Sequence, residues 1–145
     1  MRGGRVRAKR DRGSTVIEAV IAVPAFMLFV GLIVFAGRVA IANQGVEAAA
    51  NEAARAASIA RTQGQATGAA SSAARSALAN QGINCVSEQV ELDATGFAAP
   101  VGTPASVSAT ITCVVNLSDL AVPGVPGAKT VTATMSSPLD TYRER

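Results

Sequence analysis

The pattern of polar and apolar positions changes character three times along the chain. Residues 1–13 are polar and basic, and Ala19 to Gly37 carries no charge at all. An alanine-rich stretch continues to about residue 82, after which polar and β-branched residues alternate. A helix through the 19 uncharged residues would be about 28 Å long, at ~1.5 Å per residue. That is close to the ~30 Å hydrocarbon layer of a bilayer. Phe26, Leu28, Val30, Leu32 and Ile33 leave no polar face, which argues against an amphipathic helix lying on a surface. Pro24 removes one backbone hydrogen bond within this helix and predicts a kink.

Beyond the apolar run the helical pattern continues through Val46 to Arg61, rich in alanine, the strongest helix former. Glu52 and Arg55 are spaced to meet on one turn. Val46, Ala49, Ala50, Ala53, Ala56, Ala57 and Ala60 form a stripe of small residues. Such a stripe either permits close helix–helix contact or simply supplies helicity; the sequence leaves both readings open. The run from Gln63 to Gly68, with two glycines, predicts a break. A second alanine-rich helix is expected over Ala69 to Ala79, ended by Asn80-Gln81-Gly82. Cys85 to Asp93, Ala105 to Leu117 and Lys129 to Met135 read as three antiparallel strands. The Gly- and Pro-rich segments Gly96 to Pro104 and Ser118 to Ala128 read as loops. The expected fold class is α+β: a long N-terminal membrane-spanning helix, a second short helix, then a small three-stranded sheet. The domains are a leader over 1–13, a transmembrane helix over 14–42, an alanine-rich helical region over 43–82 and a β domain over 83–145.

Charge orients this scheme. Residues 1–13 hold six basic side chains against Asp11, or +6 − 1 = +5, so the remainder of a chain with net charge +3 carries −2. Positive charge preceding a hydrophobic span places that end in the cytoplasm and the rest outside. The leader has no aromatic residue to stack on bases, so nucleic acid is not the expected partner. Glu18 stands at the mouth of the span, where an unpaired carboxylate is costly. A new N-terminal ammonium, created by cutting after Gly13, would compensate it. Two alternatives stay open: a plain uncleaved anchor, and a secretory signal cut after Ala40-Ile41-Ala42, leaving Asn43 first. Against the signal, the apolar stretch is too long, and Arg38 separates it from the cut.

Two cysteines, Cys85 and Cys113, both fall in expected strands outside the membrane. An even count in an exported domain favours a disulfide, with two buried thiols as the alternative. Two thiolates without histidine do not complete a tetrahedral metal site. The absence of histidine also removes the usual general base. Only Lys129 lies outside the leader to serve a Ser–Lys arrangement, and no motif supports one. The chain reads as a non-enzyme, with neither cofactor nor small-molecule substrate.

Gly13-Ser14-Thr15-Val16-Ile17-Glu18-Ala19, then Pro24 in an apolar helix, then Ala53-Ala54-Arg55-Ala56-Ala57, resembles the TadE-like family. Its members are pseudopilins or minor pilins of the tight-adherence (Flp) type IV pilus and secretion machinery. The resemblance covers residues 12 to about 61, and the distal part shares only paired cysteines and a terminal strand. It implies a membrane-embedded prepilin peptidase cutting between Gly13 and Ser14, which makes Glu18 the fifth residue of the mature chain. It implies further that Glu18 pairs with the N-terminal ammonium of a neighbouring subunit. The partners implied are that peptidase, other pilin or pseudopilin subunits and the assembly platform. The function so implied is a structural subunit held in the cell membrane until assembly. The alternative is an anchored or secreted binding domain with no pilus role.

Overall fold

The computed structural model describes residues 12–120 and 122–142, with the backbone alone over 12–15. The N-terminal helix α1 runs unbroken over Arg12–Ser58. It passes through the 42–43 boundary drawn on composition, and Pro24 lies in its interior. Helix α2 follows over Gln63–Asn80. Strands β1 (Cys85–Asp93), β2 (Ser106–Asn116) and β3 (Ala128–Pro138) complete the fold. They form an antiparallel meander in the order β1-β2-β3. The α+β architecture is the one expected, and the strands fall within three residues of their expected ends.

The break between helices lies elsewhere than expected. It falls at residues 59–62, and both Gly64 and Gly68 are helical. Thr62 is the reason: in extended conformation it caps α2, its hydroxyl accepting from the Gln65 amide at 3.3 Å. A threonine cap contributes about 0.5–2 kcal/mol, comparable to the ~1 kcal/mol that one interior glycine costs. Ala66, Ala70, Ala74 and Leu78 then recur every four residues and are all buried, and this face carries the helix through the glycines. At the far end, Gly82 adopts φ +67°. The Ile83 amide donates back to the Leu78 carbonyl at 3.0 Å, turning the chain into β1.

Both helices lie on one face of the sheet. The upper half of α1 packs against α2, β2 and β3, while α2 lies toward β1. The small-residue stripe is thus an interaction face. Val46, Ala49, Ala50, Ala53 and Ala57 are fully buried; Ala54 is buried too, whereas Ala56 and Ala60 are only partly covered. A Cβ on Gly45 would overlap the Ile83 side chain, so α1 approaches the α2–β1 turn closely there. The ion pairs among the described residues are Arg38–Asp119 and Arg75–Glu88; the Glu52–Arg55 pair expected from spacing is not one of them. Val107, Ala109, Ile111 and Cys113 supply the sheet's buried face. The opposite face is hydroxylated and exposed, with Thr110 bonded to Thr134 at 2.9 Å and Thr112 to Thr132 at 3.2 Å. Ser137 donates to Ser58 at 3.0 Å, tying the end of α1 to β3.

Gly68 is interior to α2, and a Cβ there would meet nothing within 4 Å. Gly68→Ala is therefore expected to stabilise the domain by about 1 kcal/mol, read as a rise in melting temperature of the full chain in detergent.

Candidate functional site

The residues singled out in the sequence fall into two places. Gly13 and Ser14 lie in the first turn of α1, while the leader before Arg12 lies outside the described residues. Glu18 follows one turn later and is exposed. Among the described residues it has no ion-pair partner within its own chain. From Val16 onward the helix shows an unbroken apolar surface: Val16, Ile17, Val20, Ile21, Phe26, Met27 and Phe29 are each about 60% exposed. Among the described residues α1 is the one helix long and apolar enough to cross a membrane, and its most apolar stretch is entirely unburied. Folding thus leaves the lower half of α1 uncovered, while the upper half supplies the core of the domain.

The second place is the pair of cysteines. Cys85 and Cys113 form a disulfide between adjacent strands, with Cα atoms 5.4 Å apart. A bulge makes this possible. Along β1 the core-facing positions are Glu88, Val90 and Leu92, an even-numbered series, yet Cys85 faces the same side. The register shift between Cys85 and Ser87 adds one residue, and this reverses the alternation and turns Cys85 inward. Cys113 is fully buried and Cys85 partly so. The core-facing carboxylate of Glu88 has one buried oxygen without a hydrogen-bond partner. Arg75 of α2 stands 3.6 Å away, close enough for an ion pair and too far for a hydrogen bond.

Where the two halves of α1 meet, Arg38 donates to Asp119 at 2.5 Å. In the sequence Arg38 is only a charge that ends the apolar run; its partner is 81 residues away, and no local pattern points to it. The one available signal was a single acidic residue entering an otherwise apolar loop. The Asp119 carboxyl is held below its ordinary range chiefly by the hydrogen bond from Arg38. Its folded pKa is depressed, so the contribution is present above the unfolded carboxylate value and fades as pH falls through the lowered one. Both side chains are about half exposed or more, so salt screens the pair.

The comparison with known proteins points to the lower site. Residues 13–55 match the family model described as TadE-like protein, a span that begins at Gly13 and ends one turn before the end of α1. No curated protein and no solved structure matches the chain. The matched segment holds Gly13, Ser14, Glu18, the apolar span and most of the alanine stripe, whereas α2 and the sheet lie outside it.

The disulfide closes a separation of 28 residues, for which the chain-entropy relation gives about 3–4 kcal/mol. Replacing both cysteines by alanine is expected to lower the unfolding free energy by about that amount, measured by denaturant titration of the full chain. Peptide mapping without reduction should recover the Cys85 and Cys113 peptides joined. Finding both thiols alkylated before reduction would show the bond absent.

Proposed function

We propose that the chain is a prepilin-like structural subunit, a pseudopilin or minor pilin, of a tight-adherence type IV pilus or related secretion system. One observation carries the reading: an uncovered apolar helix with Glu18 at its entrance, inside a segment that matches the TadE-like family. An apolar helix that is merely an anchor gains nothing from a carboxylate at its mouth and is charged for it by dehydration. A carboxylate that meets an ammonium in low dielectric instead gains far more than the same pair in water.

In this reading a prepilin peptidase removes residues 1–13 at the cytoplasmic face, and Ser14 becomes the N-terminus. The apolar half of α1 holds the subunit in the membrane, with the disulfide-bonded domain outside, until other pilin or pseudopilin subunits and the assembly platform take it up. Glu18 then pairs with the N-terminal ammonium of a neighbour. The role is structural rather than catalytic, and it draws on neither a cofactor nor a small-molecule substrate.

Intact-mass analysis of protein from its native host is expected to show residues 1–13 removed. A mature chain beginning at Asn43 would establish the signal-peptide alternative, and an unprocessed chain the plain anchor. Glu18→Ala tests assembly separately. Removing the charge favours insertion, by less than the ~2.5–3.5 kcal/mol that a charge costs at the centre of a span, so the variant should reach the membrane at wild-type levels or better. Co-purification of partner pilins should nevertheless fall. Equal recovery of partners with wild type and variant would remove the role assigned to this carboxylate.

A further inference from the structure

The β2–β3 loop goes where a strand connection has no need to go. Residues 120–128 carry no charged and no hydrogen-bonding side chain, and they are bounded by Asp119 and Lys129. Closed at its base by the Leu117 amide donating to the Gly127 carbonyl, the loop meets the lower half of α1 at Val122. A Cβ built on Gly31 would lie 3.2 Å from Cγ2 of Val122. Gly31 is seven residues before Arg38, about 10 Å lower along the helix axis, and well inside the uncharged span. Beside the loop's entrance, Arg38 holds Asp119. Gly31 and Phe35 are partly buried, while Leu32, Ile33 and Val34 between them are exposed; the loop covers one narrow stripe of a helix that is otherwise bare.

We propose that this loop is a lipid-contacting element. Leu120, Val122, Val125 and Pro126 sit at the headgroup–acyl boundary of the outer leaflet, against the span and continuous with its apolar surface. The inference rests on α1 crossing the membrane as proposed above. Given that placement, the contact with Gly31 fixes the depth. If the polar Arg38 and Asp119 side chains lie at headgroup level, a side chain ~10 Å lower along the helix has passed through the interfacial layer, which is only about 5–8 Å thick on each side.

The backbone of the loop suits that depth. Lipid penalises unsatisfied amides and carbonyls, and Pro123 and Pro126 carry no amide hydrogen. The Val125 amide donates to the Val122 carbonyl at 3.2 Å, and the Leu117 amide to the Gly127 carbonyl at 2.8 Å. Gly124, at φ +81°, completes a Pro-Gly turn that keeps the tip narrow. The remaining carbonyls need water within reach, which keeps the tip at the headgroup–acyl boundary rather than in mid-bilayer. Asp119, whose charge would oppose entry among anionic headgroups, is already taken up by Arg38. A protein partner would be expected to find polar groups fixing its register; from 120 to 128 the loop offers it no polar side chain.

The chain has no tryptophan, so one introduced indole reports its own surroundings. Full-length protein in nanodiscs made with brominated phosphatidylcholine would carry Val125→Trp, or Pro126→Trp should the first variant misfold. Phe26→Trp marks mid-span, and Val101→Trp marks the β1–β2 loop at the other end of the sheet. The loop tryptophan is expected to emit blue-shifted and to be quenched most by bromines near the headgroup end of the acyl chains. Phe26→Trp should be quenched most by bromines near the chain terminus, and Val101→Trp by neither. A quenched Phe26→Trp beside an unquenched, red-emitting loop tryptophan would overturn this proposal and leave the anchor standing. A loop tryptophan that is blue-shifted yet unquenched would overturn it in favour of a second copy or another protein. An unquenched Phe26→Trp would overturn the membrane-spanning reading, and the loop proposal with it.

Discussion

The upper half of α1 is held against α2 and the sheet by a seam of alanine methyls, and every other feature is positioned by that contact. The seam works because small side chains let backbones approach: Val46, Ala49, Ala50, Ala53 and Ala57 are fully covered, and they face the equally covered Ala66, Ala70 and Ala74 of α2. Each methyl removes little area from water, so the contact depends on continuity rather than on any one residue. Because α1 continues without interruption below the seam, the domain is rigidly coupled to the apolar half. A break at residue 42 would have produced a tethered domain; an unbroken helix produces a domain mounted on a rod.

A core built from alanine leaves part of the sheet short of support, and of its two edge strands β1 is the less covered. Its inward residues Glu88, Val90 and Leu92 are only partly buried, and α1 gives most of its contact to β2 and β3. The disulfide joins β1 to β2, whose buried face is complete. Cys113 belongs to the same buried cluster as the alanine seam and Cys85 packs against it, so the covalent bond ties the less covered strand to that core. The bulge that turns Cys85 inward is part of the same arrangement, because without it the alternation would have presented Val86 to the core and Cys85 to solvent.

Much of this was legible in the sequence wherever one local signal dominated. The β-branched alternation of Thr130-Val131-Thr132-Ala133-Thr134 fixed β3, and the uncharged run fixed the bare apolar half of α1. Two glycines suggested a break at 63–68, but the Thr62 cap and the four-residue repeat of buried side chains in α2 outweighed them. Ala54 and Ala56 exchanged roles because the alanine run has no polar residue regular enough to set the phase of its inner face. Arg38–Asp119 and Gly31–Val122 were beyond reach for a different reason. Each joins positions more than 80 residues apart, and neither pair has a spacing or a motif that announces it. Gly13, Ser14 and Glu18 were legible only as a pattern, and no ion pair among the described residues involves Glu18.

That last point gives the two charges bracketing the span unequal meanings. Glu18 and Arg38 are 20 residues apart, about 30 Å along a helix, which is the thickness of the hydrocarbon layer. The upper charge is answered within the chain, since Arg38 meets Asp119 across the junction with the domain. The lower one finds no partner among the described residues of its own chain. A helix that served only as an anchor could have carried a neutral or basic residue at its lower end. Retaining a carboxylate there makes sense if the answering cation belongs to another molecule, and under the proposed function that cation is the ammonium freed at Ser14 of a neighbour. The fold answers the charge at one end of the rod; under the proposed function, assembly answers the other.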